Sequence, residues 1–522
     1  MSRLGPASLA VLVVGLCACN DEGLWSAPRD HVDEGTTAVT GSMGTTTHGS
    51  GNGTGNSSGT SSTTSSNTTG SGSTGTSSTT STSTSGSTTG ANCTHAGAAP
   101  TLSCSRSDGL TTWLPLGSDV HLGCTLTGNT ETPSSFSGQD ALGYFTVDGR
   151  SAPDVVTVGL SDAQVPNTFA DTQVSITITA NLCDEQNAQA VVTLPVLGNS
   201  VIADHYRGLV EVYSSAATDK GLFAGAAFSG RPNMVANLPN GDILIGGWND
   251  TVGTGFIVEV DRNGQLVHTF DATDASSNTL YPGCSSGGGC EMMPWGATQA
   301  PDGKIWVSVN ESAFSAGHLY RFTSNGAYYD EVPAPTNQSS VTWVPMGSTL
   351  GPGGEIIVAN GYQHAPPYIA VFPAGSTVGN YVPLDMKTCV SGQGCSDPSF
   401  NEMALADVWW DGQNTLYVAN TNDDDNDSDL GAFDASTFNF LRGTVHPSNA
   451  VNDRTNNSYG FRALTGFGDN ILLSVWSGCG WTIDPQTLYP LGPGPGINQN
   501  GCAVGDQSVI YDPRGIAHFG AQ

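Results

Sequence analysis

Two stretches of this chain hold residue types at spacings suited to chemistry. The first is "NTNDDDNDSDLGAFD", residues 420–434. Asp423, Asp425, Asp427, Asp429 and Asp434 fall at positions 1, 3, 5, 7 and 12 of a twelve-residue calcium loop. Alternate carboxylates suit Ca²⁺, which takes six to eight oxygen ligands. Ser428 stands where such a loop has glycine, the last acid is Asp rather than Glu, and strands flank the segment. A solvated acidic loop is therefore an equal reading, and calcium the one cofactor to test. The second stretch is a repeated C-x5-C loop, Cys284/Cys290 and Cys389/Cys395. Neither pair has a His or third Cys at zinc spacing, so disulfides are expected. Cys479 and Cys502 supply a third pair. Staples for long loops account for all three without a further function. Two G-x-S-x-G matches, 55–59 and 283–287, lack a strand–turn–helix setting. There is no HExxH and no P-loop, and the histidines are scattered.

The N-terminus places these cysteines in an oxidising compartment. Arg3 is the only charge before an apolar run from Ala7 to Ala18, which has the length of a secretory h-region. It ends in Leu16-Cys17-Ala18-Cys19, which resembles the lipobox of bacterial lipoproteins, with Cys17 a departure at the middle position. The resemblance implies a signal peptide over 1–18, lipidation of Cys19, and anchoring to a bacterial outer membrane or cell surface. A tether follows, 19–92. Residues 44–90 contain only Gly, Ser, Thr, Asn and His48, which leaves nothing to bury. Such a chain has an r.m.s. span of roughly 35–40 Å.

The remainder, about 430 residues, is long enough for two or three domains. With 15 basic and 46 acidic residues the net charge is −31, which argues against nucleic-acid partners. Amphipathic helical periodicity is missing. Short alternating runs bounded by Gly, Pro, Asn and Asp recur instead, so the chain reads as all-β.

Residues 93–197 carry candidate strands at 119–127, 141–149, 154–160, 172–180 and 190–196. That spacing suggests a β-sandwich. Cys124 and Cys183 suit an inter-sheet bridge, leaving Cys93 for Cys104; four cysteines permit three connectivities. The unit resembles an immunoglobulin-like domain in architecture, without that family's core Trp or corner Tyr.

Residues 198–522 repeat a turn, strand, polar loop and second strand five times, beginning at "LPNGDILIGGWND" (238), "APDGKIWVSVNES" (300), "GPGGEIIVANGYQ" (351), "DGQNTLYVANTND" (411) and "FGDNILLSVWSG" (467). "SVIYDPRGIAHFG" (508–520) reads as the first two strands of a sixth unit and "SVIADHYRGLVEVYSS" (200–215) as its latter part. Pairing them closes a six-bladed β-propeller, with seven blades as the alternative. All three cysteine pairs then fall on one face. The turns and following strands resemble NHL and SMP-30/gluconolactonase-like propellers. Aligned on their second strands, the blades place Asn233, Trp295, Met346, Glu402, Phe461 and Asp506 at the channel mouth. The SMP-30 resemblance implies that Asn233, Glu402 and Asp506 hold a divalent metal that activates water. Met234 departs from that family's Pro-Asn-Gly pattern, and Trp295-Gly296 replaces an Asp-Gly motif. A polar ring solvating the channel is the plainer account. Trp248, Trp343, Trp476 and Trp481 near loop ends suit glycan or protein contacts. The expectation is a monomeric binding propeller for a protein or glycan ligand, with a metal-dependent hydrolase or lyase as the alternative.

Overall fold

The computed structural model describes residues 99–520 except 129–132, 134, 153–154, 183–186, 217, 226, 250, 282–292, 311–316, 362–365, 391–393, 397–403, 422–429, 444–460, 476–478 and 494–512. Among the described residues every regular element is a β-strand.

Seven strands fold around one apolar core as a sandwich of two sheets that share the strand Thr146–Ala152, in the order Thr101–Arg106, Asp119–Thr127, Val155–Gly159, Thr146–Ala152, Ser135–Asp140, Thr172–Asn181, Ala188–Val196. Alternation drives them: Val174, Ile176, Ile178 and Ala180 point to one core, while the residues between them are less buried. The segment read as a strand over 141–149 divides. Ser135–Asp140 pairs with Thr172–Asn181, and the Asp140 carboxylate then accepts from Leu142, Gly143, Tyr144 and Phe145 N–H, closing a turn before Thr146.

The expected Cys124–Cys183 bridge is corrected. Cys104 and Cys124 are direct cross-strand partners, and they form the disulfide, with Cα atoms 4.1 Å apart. Cys93 and Cys183 lie outside the described residues. The closed loop spans 20 residues, so replacing both cysteines by Ser is expected to lower stability by about 3 kcal/mol in the chain-entropy view. Urea titration with and without reductant checks this. A double variant as stable as the oxidised parent contradicts it.

Six four-stranded sheets follow, arranged as a six-bladed propeller. The inner strands are Arg231–Asn237, Met293–Gln299, Pro345–Leu350, Ala404–Trp410, Phe461–Phe467 and Pro513–His518, for blades one to six. Each packs on the next, and the first packs on the last. Blade six closes the ring from both parts of the chain: Pro513–His518 pairs with Ser200–Asp204, which continues into Leu209–Tyr213 and Asp219–Leu222. The division is one strand plus three, rather than two plus two. The propeller's buried apolar residues form a cluster at each of the six blade junctions; Met234, Leu244, Ile257, Val307 and Phe322 fill the one between blades one and two.

The two ends of the propeller differ. At one end the inner strand meets the second strand through a tight turn such as "PDGK". Gly303 there has φ 81°, a conformation that favours glycine. The sandwich docks at this end. Trp113 N donates to Asp469 Oδ2 at 3.0 Å, and Trp113 and Leu197 join the cluster between blades five and six. The other end carries the long connections: those between Thr269 and Met293, Pro383 and Ala404, Gly443 and Phe461, and Pro493 and Pro513.

Candidate functional site at the channel mouth

All six inner strands begin at the long-connection end, and all six bulge at the same point. In each, one extra residue interrupts the pairing with the second strand. The bulged residues are Asn233, Trp295, Ala406, Arg462 and Arg514, with Met346-Gly347 sharing the position in blade three. A bulge re-aims a side chain and ends regular pairing, a common device at binding and active sites. Proline precedes it in four blades, as Pro232, Pro294, Pro345 and Pro513. A residue without an N–H is tolerated where the ladder is already broken.

This register keeps Asn233, Trp295 and Met346 where the repeat alignment put them and corrects the other three. Ala406, not Glu402, is equivalent in blade four; Arg462 replaces Phe461; Arg514 replaces Asp506. Glu402 and Asp506 themselves lie outside the described residues. The ring thus presents two guanidiniums, a carboxamide and an indole. Asn233 is buried, with Nδ2 donating to Pro294 O at 2.9 Å and Oδ1 accepting from Arg514 Nη1 at 3.2 Å. Arg462 sits 5.7 Å from the Trp295 ring, a cation–π contact. Beside the ring, His205 is buried and its Nδ1 donates to Pro232 O at 3.2 Å. Burial, reinforced by the charges of Arg514, Arg231 and Arg462, holds this imidazole well below its usual range, so it stays neutral.

Inside the ring lies a cavity of about 250 Å³, lined by Trp295, Thr298, Ser348, Asp407, Thr465 and Arg514 among others. Asp407 Oδ2 accepts from Leu464 N at 2.8 Å, and Oδ1 from Val408 N at 2.8 Å. Desolvation pushes its pKa up to about 7, against the lowering effect of those two bonds. Asp407 is half-buried as a residue and lines the cavity. A Cβ on Gly347 would run into this carboxyl, which accounts for glycine there. A second cavity, about 350 Å³, shares Asn237, Pro239, Trp409 and Thr465 with the first. The channel therefore runs on to the sandwich end.

At that end Ser200 Oγ, His518 and Asp171 form a hydrogen-bonded chain, 3.1 Å to Nδ1 and 2.7 Å from Nε2. The residue types match a hydrolytic triad, but Ser200 is wholly buried and does not line the cavity. Asp171 Oδ1 also accepts from Gly198 N at 2.7 Å. The chain is a polar latch between sandwich and propeller.

The remaining sites are placed as follows. Asp434 ends the strand Leu430–Asp434, some 13 Å along from residue 430 at strand rise. Its Oδ1 accepts from the Ser436 and Thr437 hydroxyls and N–H groups, which hold its pKa at about 2. It caps a turn at the tight-turn end. Asp423, Asp425, Asp427 and Asp429 lie outside the described residues, as do Cys19, Cys284, Cys290 and Cys502. Cys389 and Cys395 are cross-strand partners in a short hairpin, Thr388–Val390 with Gly394–Ser396. Cys479 begins the strand Cys479–Ile483 at the long-connection end.

No protein-family model matches this chain, and no curated protein matches it. Similar solved structures include a protein of unknown function from Bacteroides caccae, 11% identical, TM-score 0.34, covering 61% of this chain and 98% of that one. Kuenenia stuttgartiensis hydrazine synthase is 12% identical, TM-score 0.35, covering 54% and 72%. The β-propeller domain of Myceliophteria thermophila Cps50 (Swd1) is 11% identical, TM-score 0.31, covering 50% and 68%. At these scores the likenesses carry no functional inference.

Proposed function

We propose that this chain is an extracytoplasmic lipoprotein, anchored through Cys19, whose propeller binds a protein or glycan ligand at its long-connection end. The observation that carries this reading is the asymmetry of the propeller. One end has tight turns and a docked sandwich. The other gathers the long connections, five cysteines within them and Cys479 at their edge, around a channel mouth ringed by polar, charged and aromatic side chains. Loops on a rigid scaffold are where binding residues concentrate. The lipobox-like residues and the Gly/Ser/Thr tether support display away from a membrane surface. A metal-dependent hydrolase has less to stand on, because none of the six bulge positions of the ring carries a carboxylate.

The test is a blocking experiment on the full chain. An azido amino acid at position 251, in the turn after Arg231–Asn237 and its partner Ile243–Asn249, is joined to polyethylene glycol. The same is done at position 325, in a tight turn at the opposite end. Both positions are exposed. Ligands retained on glycan and extracellular-protein arrays should be lost with the polymer at 251 and kept with it at 325. The reverse pattern, or no retained ligand on either array, contradicts the reading.

A further inference from the structure

The cavity at the sandwich end of the channel faces polar atoms that the chain leaves without partners. It holds about 350 Å³, and its walls include Asp171, Asn237, Arg262, Trp409 and Thr465. Asp171 is 8% exposed, and its side-chain hydrogen bonds, with His518 Nε2 and Gly198 N, both go to Oδ1. Oδ2 has no hydrogen-bond partner among the described residues. Arg262 is half-buried, and among the described residues its guanidinium bonds only through Nε, to Gly241 O at 3.4 Å. Its terminal nitrogens are left over, whereas Arg106, Arg207 and Arg321 each pair with a carboxylate. Asn237 spends Nδ2 on His518 O at 2.9 Å, which leaves its Oδ1. Leu238 and Phe519 are buried and give the cavity an apolar wall. Trp409, itself stacked on Tyr417 at 5.5 Å and packed against Gly466, adds to that wall. Asn237 and Pro239 are exposed, so the cavity is reached from solvent.

We propose that this cavity binds a free α-amino acid with an apolar side chain, at a site separate from the long-connection end. The Arg262 fork takes the α-carboxylate in a pair of hydrogen bonds. Asp171 Oδ2 and Asn237 Oδ1 can only accept, and the α-ammonium only donates. Arg262 and Asp171 do not pair with each other. A ligand that carried one charge alone would satisfy one of them and leave the other facing it unmatched, which costs binding energy in a partly buried site. The apolar wall of Leu238, Phe519 and Trp409 takes the side chain. A mostly enclosed space with an apolar wall and a few convergent polar groups is the usual form of a small-molecule site, and the volume suits one.

Isothermal titration of the full chain with L-leucine and with L-phenylalanine tests this. Saturable binding of at least one is expected. Its amide, which lacks the carboxylate, and its N-acetyl form, which lacks the ammonium, should each bind at least about tenfold more weakly. Arg262→Gln should weaken the amino acid at least about tenfold and leave the amide unchanged, a split that general loss of structure would not produce. Should that variant fail to fold, hydrogen exchange on the wild type gives a second readout. The bound amino acid should slow peptides covering 237–242 and 464–468, and leave 293–297 at the channel mouth unchanged. No saturable binding of either amino acid overturns the proposal. So does binding that the amide or the N-acetyl form matches, that ignores Arg262→Gln, or that slows exchange at the mouth alone.

Discussion

Asp171→Ala is expected to destabilise the protein by about 3 kcal/mol, because it strands two buried donors. Asp171 Oδ1 receives His518 Nε2 and Gly198 N, both at 2.7 Å, and Asp171 and His518 are each less than a tenth exposed. Residue 171 leads into a sandwich strand and His518 ends the inner strand that closes the propeller ring. The substitution therefore acts at two places, the seat of the sandwich and the closure of blade six. Backbone bonds reinforce the same joint, with Asp171 N donating to Phe519 O and Phe519 N to Asn199 O. A double-mutant cycle with His518→Ala, read by denaturant unfolding, should show coupling of about 1–3 kcal/mol. Additive losses, or a single-variant loss below about 1 kcal/mol, would mean that the latch does not hold the two parts together.

Asp407→Asn should invert its effect on stability with pH. The folded-state pKa of Asp407 is raised to about 7 from 3.8, chiefly by desolvation. A carboxyl with a raised pKa contributes stability that is fully present below the unfolded value and is lost as pH climbs through the folded one. Its contribution thus declines between about pH 4 and pH 7. At about 1.4 kcal/mol per unit the loss is at most about 4 kcal/mol, because Asp407 lines the channel cavity and is only half-buried as a residue, so screening lowers the full figure. The carboxamide has no charge to bury, but it cannot accept from both Val408 N and Leu464 N. Asp407→Asn should therefore be less stable than wild type at pH 5 and more stable at pH 8. Melting curves across that range give the difference directly. Parallel curves would show that Asp407 is ionised in the fold throughout.

Much of this architecture was legible in the residues. The Pro-Asn-Gly and Pro-Asp-Gly turns at 239–241 and 301–303 mark the tight-turn end, since only a few residue types tolerate the positive φ of Gly241 and Gly303. The similarity of 508–520 to a blade's start and of 200–215 to its continuation gave the closed ring. The ring of side chains at the mouth was legible only for blades one to three. There the count back from the second strand crosses turns of similar form. In blade four the turn changes to "DGQN", in blade five it shrinks to Gly468-Asp469, and in blade six the second strand lies some 300 residues earlier in the chain. The same spacing applied to these blades therefore points to Glu402, Phe461 and Asp506 instead of Ala406, Arg462 and Arg514. The prolines before the bulge would have anchored blade six, as Pro513, but Leu405 and Phe461 take that place in blades four and five. The Cys104–Cys124 bridge is not legible in the sequence, because Thr101–Arg106 is short and has only Leu102 and Cys104 as apolar residues. The Asp171–His518 contact joins residues 347 apart, and no local pattern announces it.

The most direct test of where this molecule works is hydrogen exchange on the full chain, with and without a ligand recovered from the arrays. Binding at the mouth predicts slowed exchange in peptides covering the bulges at 231–235, 293–297, 461–464 and 513–516. The tight-turn peptides at 238–242, 300–304 and 351–355 should not change. Slowed exchange confined to those turns, with the bulges unaffected, would place the binding surface at the opposite end and contradict the account.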